Sequence, residues 1–404
     1  MKRKRRAGPG ILLFFFLTAA AALPAYGAAG AEEGAAVKTG AGYAGEEASG
    51  EDELTLEIDD SLMSEMDMEE IQQAVDELLV KDDFSVSDSV LRLMSGEDIF
   101  AGTDMAGNVL SLVTEAFSGQ REIWMRILIL VLAAALLSNF ASLFESSQMG
   151  EMGFYMIYLL VFALLLRNFQ ALSSQLSAAL EGILNFMNVL VPAYYIAVAT
   201  ATGASSAAMF YQIVLFVITL VERLLIYLIL PGIQIYVLIS LVNQLSREDF
   251  LSRMAELLKT CISWVMKTAL GLVIGMQITR NLISPALDSL RRTIIGKTAS
   301  AIPGVGNAID SVTEMVIGSA VLIRNCLGAV ALVILFLCGV IPLIQFAVTG
   351  LTYRLLAAFT QPVSDKRMVG CLTTMGEGCS LLLKLLLTTE VLFMVTVAIL
   401  AAGG

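Results

Sequence analysis

Residues 326–349 read CLGAVALVILFLCGVIPLIQFAVT, a run without a single charged side chain. About 20 such residues in a helix span the ~30 Å hydrocarbon core of a bilayer, so this stretch predicts a membrane-crossing helix. Working outward, residues 123–144, 182–201, 224–245, 261–279 and 379–402 have the same character and are joined by short connections. Two further runs, 154–166 and 207–221, are short and end at Arg167 and at Glu222-Arg223. Snorkelling flanks or local thinning of the bilayer can complete such spans. The expected fold is therefore all-α: a polytopic helical membrane protein of about six to eight transmembrane helices.

The composition has the same cause. Of 404 residues, 57% are hydrophobic and 15% charged, against roughly 25% charged in an average soluble domain. The net charge of -12 is unevenly placed. Residues 28–122 carry 24 acids and 4 bases, whereas 123–404 carry 13 acids and 16 bases. An acidic segment of this kind repels phosphate backbones, which excludes nucleic acid as a partner on charge grounds.

The chain divides into four parts. Residues 1–27 read as a signal peptide: Lys2, Arg3, Lys4, Arg5 and Arg6 precede an apolar run over 11–22, then Ala25-Tyr26-Gly27. An uncleaved anchor is the alternative, and either delivers the segment after residue 27 to the outer side of the membrane. Residues 28–53 are Ala, Gly and Glu with almost no large apolar side chain, a disordered acidic tether. Residues 54–122 form an acidic helical extracytoplasmic segment. Within it Ile71, Ala74, Val75, Leu78 and Leu79 share one helical face, with Glu69, Glu70, Asp76 and Glu77 on the other. Phe84, Val90, Leu91, Leu93 and Met94 predict a second helix, started by Ser87 or Asp88 and closed near Gly96. Val109, Leu110, Leu112, Val113 and Phe117 lead into the first span. Such helices are too short for a core of their own and are expected to pack on the membrane domain or a partner, a solvated stalk being the other reading. Residues 123–404 are the membrane domain.

Eight spans with an exported start and an exported C-terminus put Arg247, Arg253, Lys259, Arg354, Lys366 and Arg367 on the cytoplasmic side, as the positive-inside rule prefers. The same arrangement puts Arg280, Arg291, Arg292, Lys297 and Arg324 outside, against it.

Charges within spans cost about 2.5–3.5 kcal/mol each at the helix centre. Lys267 and Lys384 lie near enough to span ends to snorkel. Glu390 lies near the middle of the last span and must be neutral, paired or facing a wet cavity, as a structural hydrogen-bonding group or as part of a pore or relay. Glu222 and Arg223 point in different directions on a helix and do not neutralise each other, which predicts a break there. Gly271 and Gly275 form a GxxxG spacing suited to close helix approach within the chain or to self-association.

Chemistry is narrowed by absences in the sequence. With no histidine there is no Ser-His-Asp triad, no His-based zinc site and no imidazole base in this chain. The cysteines Cys261, Cys326, Cys338, Cys371 and Cys379 form no CxxC pair, an unsuitable set for a disulfide framework. Gly296-Lys297-Thr298 resembles the end of a phosphate-binding loop, but Arg291 stands where its first glycine belongs. Gly304-Val305-Gly306 has Ile309 at the place of a third glycine. Neither GxGD, nor a serine-protease signature, nor HExxH occurs. No catalytic residue, cofactor site or metal site is expected.

Residues 296–328, GKTASAIPGVGNAIDSVTEMVIGSAVLIRNCLG, are the most distinctive text in the chain. Their Pro, Gly and Asn content suits a surface loop. A re-entrant or interfacial element over 302–327 is the other reading, since Val305, Ile309, Val312, Val316 and Ser319 share a helical face. With Asp288 and Arg292 before it, the stretch resembles the core motif of the stage III sporulation protein AE family of spore-forming Firmicutes, through Ile302-Pro303, Gly306, Gly318-Ser319, Arg324-Asn325 and Gly328. Val191-Pro192 with residues 202–205, residues 340–344 and residues 361–367 agree with that family. Cys326, where a small alanine-like residue is expected, and the Ala/Gly-rich tether depart from it. The resemblance implies a component of the channel between mother cell and forespore, in the outer forespore membrane with its N-terminal segment in the intermembrane space. Implied partners are a secretion-type ATPase, ring-forming membrane proteins and a forespore-side protein. It brings no catalytic residues. Glu390, Glu222, Arg223, Pro303, Gly306, Arg324 and Asn325 are the candidate functional or structural membrane residues. The competing reading is a self-sufficient secondary transporter whose interrupted helices at Arg167 and Glu222-Arg223 bound a substrate site.

Overall fold

Hydrophobic runs set where helices meet lipid, but the helices themselves extend until a residue that cannot continue them. The computed structural model describes residues 68–78, 85–95, 147–202, 216–245, 250–295, 306–362 and 364–401, with isolated helical positions between 114 and 136. Among them every regular element is helical. In chain order these are α1 Met68–Leu78, α2 Val86–Met94, α3 Ser147–Thr202, α4 Leu230–Leu245, α5 Ser252–Ile295, α6 Gly306–Thr360 and α7 Lys366–Ala401. The signal peptide and tether expected over 1–53 lie outside the described residues, as does most of the apolar run at 123–144.

Five segments among the described residues are long and apolar enough to cross a membrane: Tyr155–Pro192, Phe216–Leu245, Ser252–Gly275, Val321–Thr360 and Lys366–Ala398. The expected spans thus appear, with three corrections. Arg167 does not separate two spans, because it lies exposed within the uninterrupted α3. Glu222 and Arg223 do not break the chain either. Helix continues through them into a π-helical turn at Leu225–Ile229, which passes directly into α4. A charge interrupts a hydropathy profile, but Arg and Glu are good helix formers and leave the backbone ladder intact. Third, residues 306–327 are not a surface loop: they are helical, in keeping with the face shared by Ile309, Val312, Val316 and Ser319, and form the first part of α6. The family-motif prolines Pro192 and Pro342 also lie inside helices.

The α6–α7 pair is the most extensive contact in the bundle. Its connection is short and capped: Ser364 N–H donates to Thr360 O at 2.8 Å, and Arg367 N–H to Asp365 Oδ1 at 2.9 Å. Asp365 therefore satisfies an amide that the first turn of α7 would leave unpaired. Gly350 and Gly376 let the two backbones meet. A Cβ at Gly376 would lie 3.4 Å from Gly350 O and 2.9 Å from Arg354 Cγ, so small residues set the closeness of this hairpin. Polar contacts fix the remaining registers. Tyr158 Oη and Cys371 Sγ are 2.9 Å apart, Asn168 donates to Tyr353 Oη, and Gln234 Nε2 donates to Ser173 Oγ at 2.6 Å. The Gly271/Gly275 pair does not bring two helices of this chain together: among the described residues a Cβ at either would meet nothing within 4 Å.

The acidic helix α1 and the amphipathic helix α2 lie against this bundle. Ile71, Ala74 and Val75 of α1 are buried, and Glu69, Glu70, Asp76 and Glu77 exposed. α1 packs on α3, where Leu78 sits so close to Gly182 that a Cβ there would be 2.8 Å from Leu78 Cδ2. α2 packs on α6. Its N-cap is Ser85, two residues before the expected start, whose Oγ accepts from Asp88 N–H at 3.3 Å. Ser95 closes it, beside the expected Gly96, with its N–H donating to Leu91 O. Leu91 is exposed, whereas Val86 and Val90 are buried.

Candidate functional site

The last helix carries two acids that α4 and α6 turn into distinct sites. Glu390, toward the C-terminal part of α7, is fully buried, and neither carboxyl oxygen has a hydrogen-bond partner among the described residues. Gly339 of α6 makes room for it, since a Cβ at that position would stand 2.6 Å from Glu390 Cδ. α4 runs antiparallel to α7, as Tyr236 meets Glu377 while Gln244 meets Gly370. Carrying that register along both helices brings Glu390 level with Glu222 and Arg223, and the π-helical turn beside them touches α7. Glu222 is buried, with its Oε1 lacking a partner among the described residues, while Arg223 is exposed. Single π-helical turns widen a helix locally and recur at functional positions. The candidate acids Glu222 and Glu390 thus share one level of the bundle, and both are buried.

The other candidates are elsewhere. Arg324 is buried and donates from Nη2 to Asn325 Oδ1 at 3.4 Å, while Asn325 is exposed. They precede Gly339 by about four turns of α6, or ~22 Å. Gly306 begins α6, further still from Glu390. Pro303 lies outside the described residues.

The second site joins residues that the sequence pattern does not group. Glu377 Oε2 accepts from Lys259 Nζ at 2.6 Å and from Tyr236 Oη at 2.6 Å, and Lys259 Nζ stands 5.8 Å from the Tyr236 ring centroid. These three help line a cleft of about 480 Å3 between α4, α5 and α7, with Gln244, Glu256, Lys366 and Thr373 among its other walls. Glu377 and Lys259 are both 39% exposed, so the pair is solvated. The available signal was the sequence Gly376-Glu377-Gly378, an acid between two residues that need close neighbours. A Cβ at Gly378 would lie 2.6 Å from Val237 Cγ2. No group of three or more acids and cysteines placed to hold a metal occurs among the described residues.

The profile of the family described as Stage III sporulation protein AE matches residues 84–404. The chain belongs to the stage III sporulation protein AE family. A curated relative, Stage III sporulation protein AE of Bacillus subtilis (strain 168), is 20% identical over 317 residues, covering 78% of this chain and 79% of the relative. No solved structure matches. The part matched to the stage III sporulation protein AE family takes in α2, the whole described bundle, the level of Glu390 and the cleft around Glu377, while α1 precedes it.

Proposed function

We propose that this chain is a non-enzymatic integral membrane component of the secretion-like channel that links mother cell and forespore during sporulation, acting after engulfment to maintain the forespore and its late sigma-factor-dependent gene expression. The observation that carries this reading is the family match running through a bundle of five membrane-length helices. The chain would sit in the outer forespore membrane, with its N-terminal segment entering from the intermembrane space and α1 folded back onto α3. Against Arg280, Arg291, Arg292 and Arg324 toward the far parts of α5 and α6, part of the basic residues fits that orientation, since Arg253, Lys259, Arg354, Lys366 and Arg367 gather at the end where α4 meets α5 and α6 meets α7. That end would face the mother cell, where a secretion-type ATPase could engage the cleft around Glu377. Ring-forming membrane proteins and a forespore-side partner would meet the acidic side. Nucleic acid and cofactors have no part in this proposal.

The transporter reading loses its main support, because helix is continuous through both Arg167 and Glu222-Arg223. Affinity isolation from mildly solubilised engulfed sporangia tests the proposal. The expected result is co-isolation of a secretion-type ATPase and ring-forming membrane proteins. A chain that emerges alone and catalyses solute uptake by itself in liposomes would contradict it.

A further inference from the structure

One face of α3 does not fit a lipid environment. From Arg167 to Asn188, its exposed positions are Arg167, Gln170, Ser174, Gln175, Glu181, Asn185 and Asn188, interrupted only by Ala171 and Ala178. At 100° per residue these lie within one arc of the helix. The stripe is about 32 Å long, as tall as a bilayer's ~30 Å hydrocarbon core; it lies within Tyr155–Pro192, whose 38 residues exceed one bilayer, so its depth is read from the helices beside it. Gln345 of α6 extends it sideways by donating to Gln175 Oε1 at 3.2 Å, with that pair also exposed.

Two independent observations say which solvent this face meets. Gln234 donates to Ser173, and α3 and α4 run antiparallel, so the stripe lies at the height of roughly residues 219–240 in the α4 segment. There the exposed side chains include Leu220, Leu224, Leu228, Ile235 and Leu238, with Arg223, Tyr227 and Gln234 as polar exceptions. At one height the bundle thus presents an apolar surface on α4 and a polar one on α3. The second observation is α1. It docks through Leu78 on Gly182, at the edge of the same α3 face, with Glu69, Glu70, Asp76 and Glu77 exposed on its own outer side. Four carboxylates cannot face hydrocarbon, where each charge costs several kcal/mol.

We infer that the α3 face from Arg167 to Asn188 lines a water-filled passage at membrane depth, walled by this chain together with other subunits, while α4 faces lipid. This deepens the channel reading by assigning the wetted wall, and it uses that reading only for what the passage serves.

The test is cysteine accessibility in the full chain, in membranes from sporulating cells, with the exposed Cys261 replaced by serine. Ser174→Cys, Ala178→Cys and Asn185→Cys sample the stripe; Leu220→Cys, Leu228→Cys and Leu238→Cys sample the α4 face. All six positions are exposed, so small substitutions leave the packing intact, and immunoblotting checks that each variant accumulates. A charged maleimide, which requires a hydrated thiolate, is expected to label the stripe at least about tenfold faster than α4. Stripe cysteines as slow as those on α4 would overturn the proposal. Because labelling does not depend on spore phenotype, fast stripe labelling in a chain whose deletion leaves spores normal would sink the channel reading and keep the wetted face. Slow labelling in a chain that spores require would do the reverse.

Discussion

Glu390 shows how one residue's environment decides what substitution does. An ionised carboxylate is costly to bury without partners, and neither of its oxygens is hydrogen-bonded among the described residues. Glu390→Gln, which keeps shape and removes ionisation, is expected to leave the thermal unfolding of the detergent-solubilised protein and the spore yield near wild type. A large loss of spores with unchanged unfolding would instead mean that the charge is used. Gly339→Ala tests the packing, because its Cβ would lie 2.6 Å from Glu390 Cδ. Overpacking of that kind costs about 1–3 kcal/mol, and adding Glu390→Ala should recover part of the lost stability, read as a rise in unfolding temperature. The Lys259–Glu377 pair is 39% exposed on both sides, so Glu377→Gln should cost under about 1 kcal/mol in the same measurement. Glu390 stood out in the sequence because an acid in an apolar run is visible one residue at a time. Its closeness to Gly339, and the meeting of Glu377 with Tyr236 and Lys259, depend on registers between helices far apart in the chain, which no local pattern encodes.

Among the elements, the hairpin α6–α7 and the docking of α1 make separate predictions. Gly376→Val should push α7 off Gly350 and Arg354 and lower the amount of chain accumulating in the membrane, measured by immunoblot; wild-type accumulation would mean that this approach is not needed. Gly182→Leu should displace Leu78 and speed proteolysis of α1 in the isolated protein, while fragments of the bundle keep their wild-type cleavage pattern. The apolar runs were legible as helices because their length and composition suffice to predict a span, and the faces of α1 followed from the spacing of Ile71, Ala74 and Val75. What escaped was where helices end. Arg167 and Glu222-Arg223 lowered the local hydropathy without supplying a helix breaker, so α3 and the segment before α4 ran straight through them. The within-chain reading of the GxxxG spacing failed for a related reason: Gly271 and Gly275 permit a close approach but cannot create one, and among the described residues no neighbour comes within 4 Å of where their Cβ atoms would be.

For the whole molecule, the structure combines a bundle of membrane-length helices, a polar cleft beside a cluster of basic residues at one end, and an acidic amphipathic helix, α1, docked on α3. That asymmetry fits a subunit held between two compartments, with α4 turned to lipid and α3 turned to water. Family membership supplies the process, sporulation at stage III, and the bundle supplies a membrane component for it. The most direct measurement is the heat-resistant spore yield of the source organism with this gene deleted in frame and then restored, with forespore morphology scored at the block. Arrest after engulfment, collapsed forespores and rescue on restoration are expected. Normal spore yield and intact forespores in the deletion strain would contradict it.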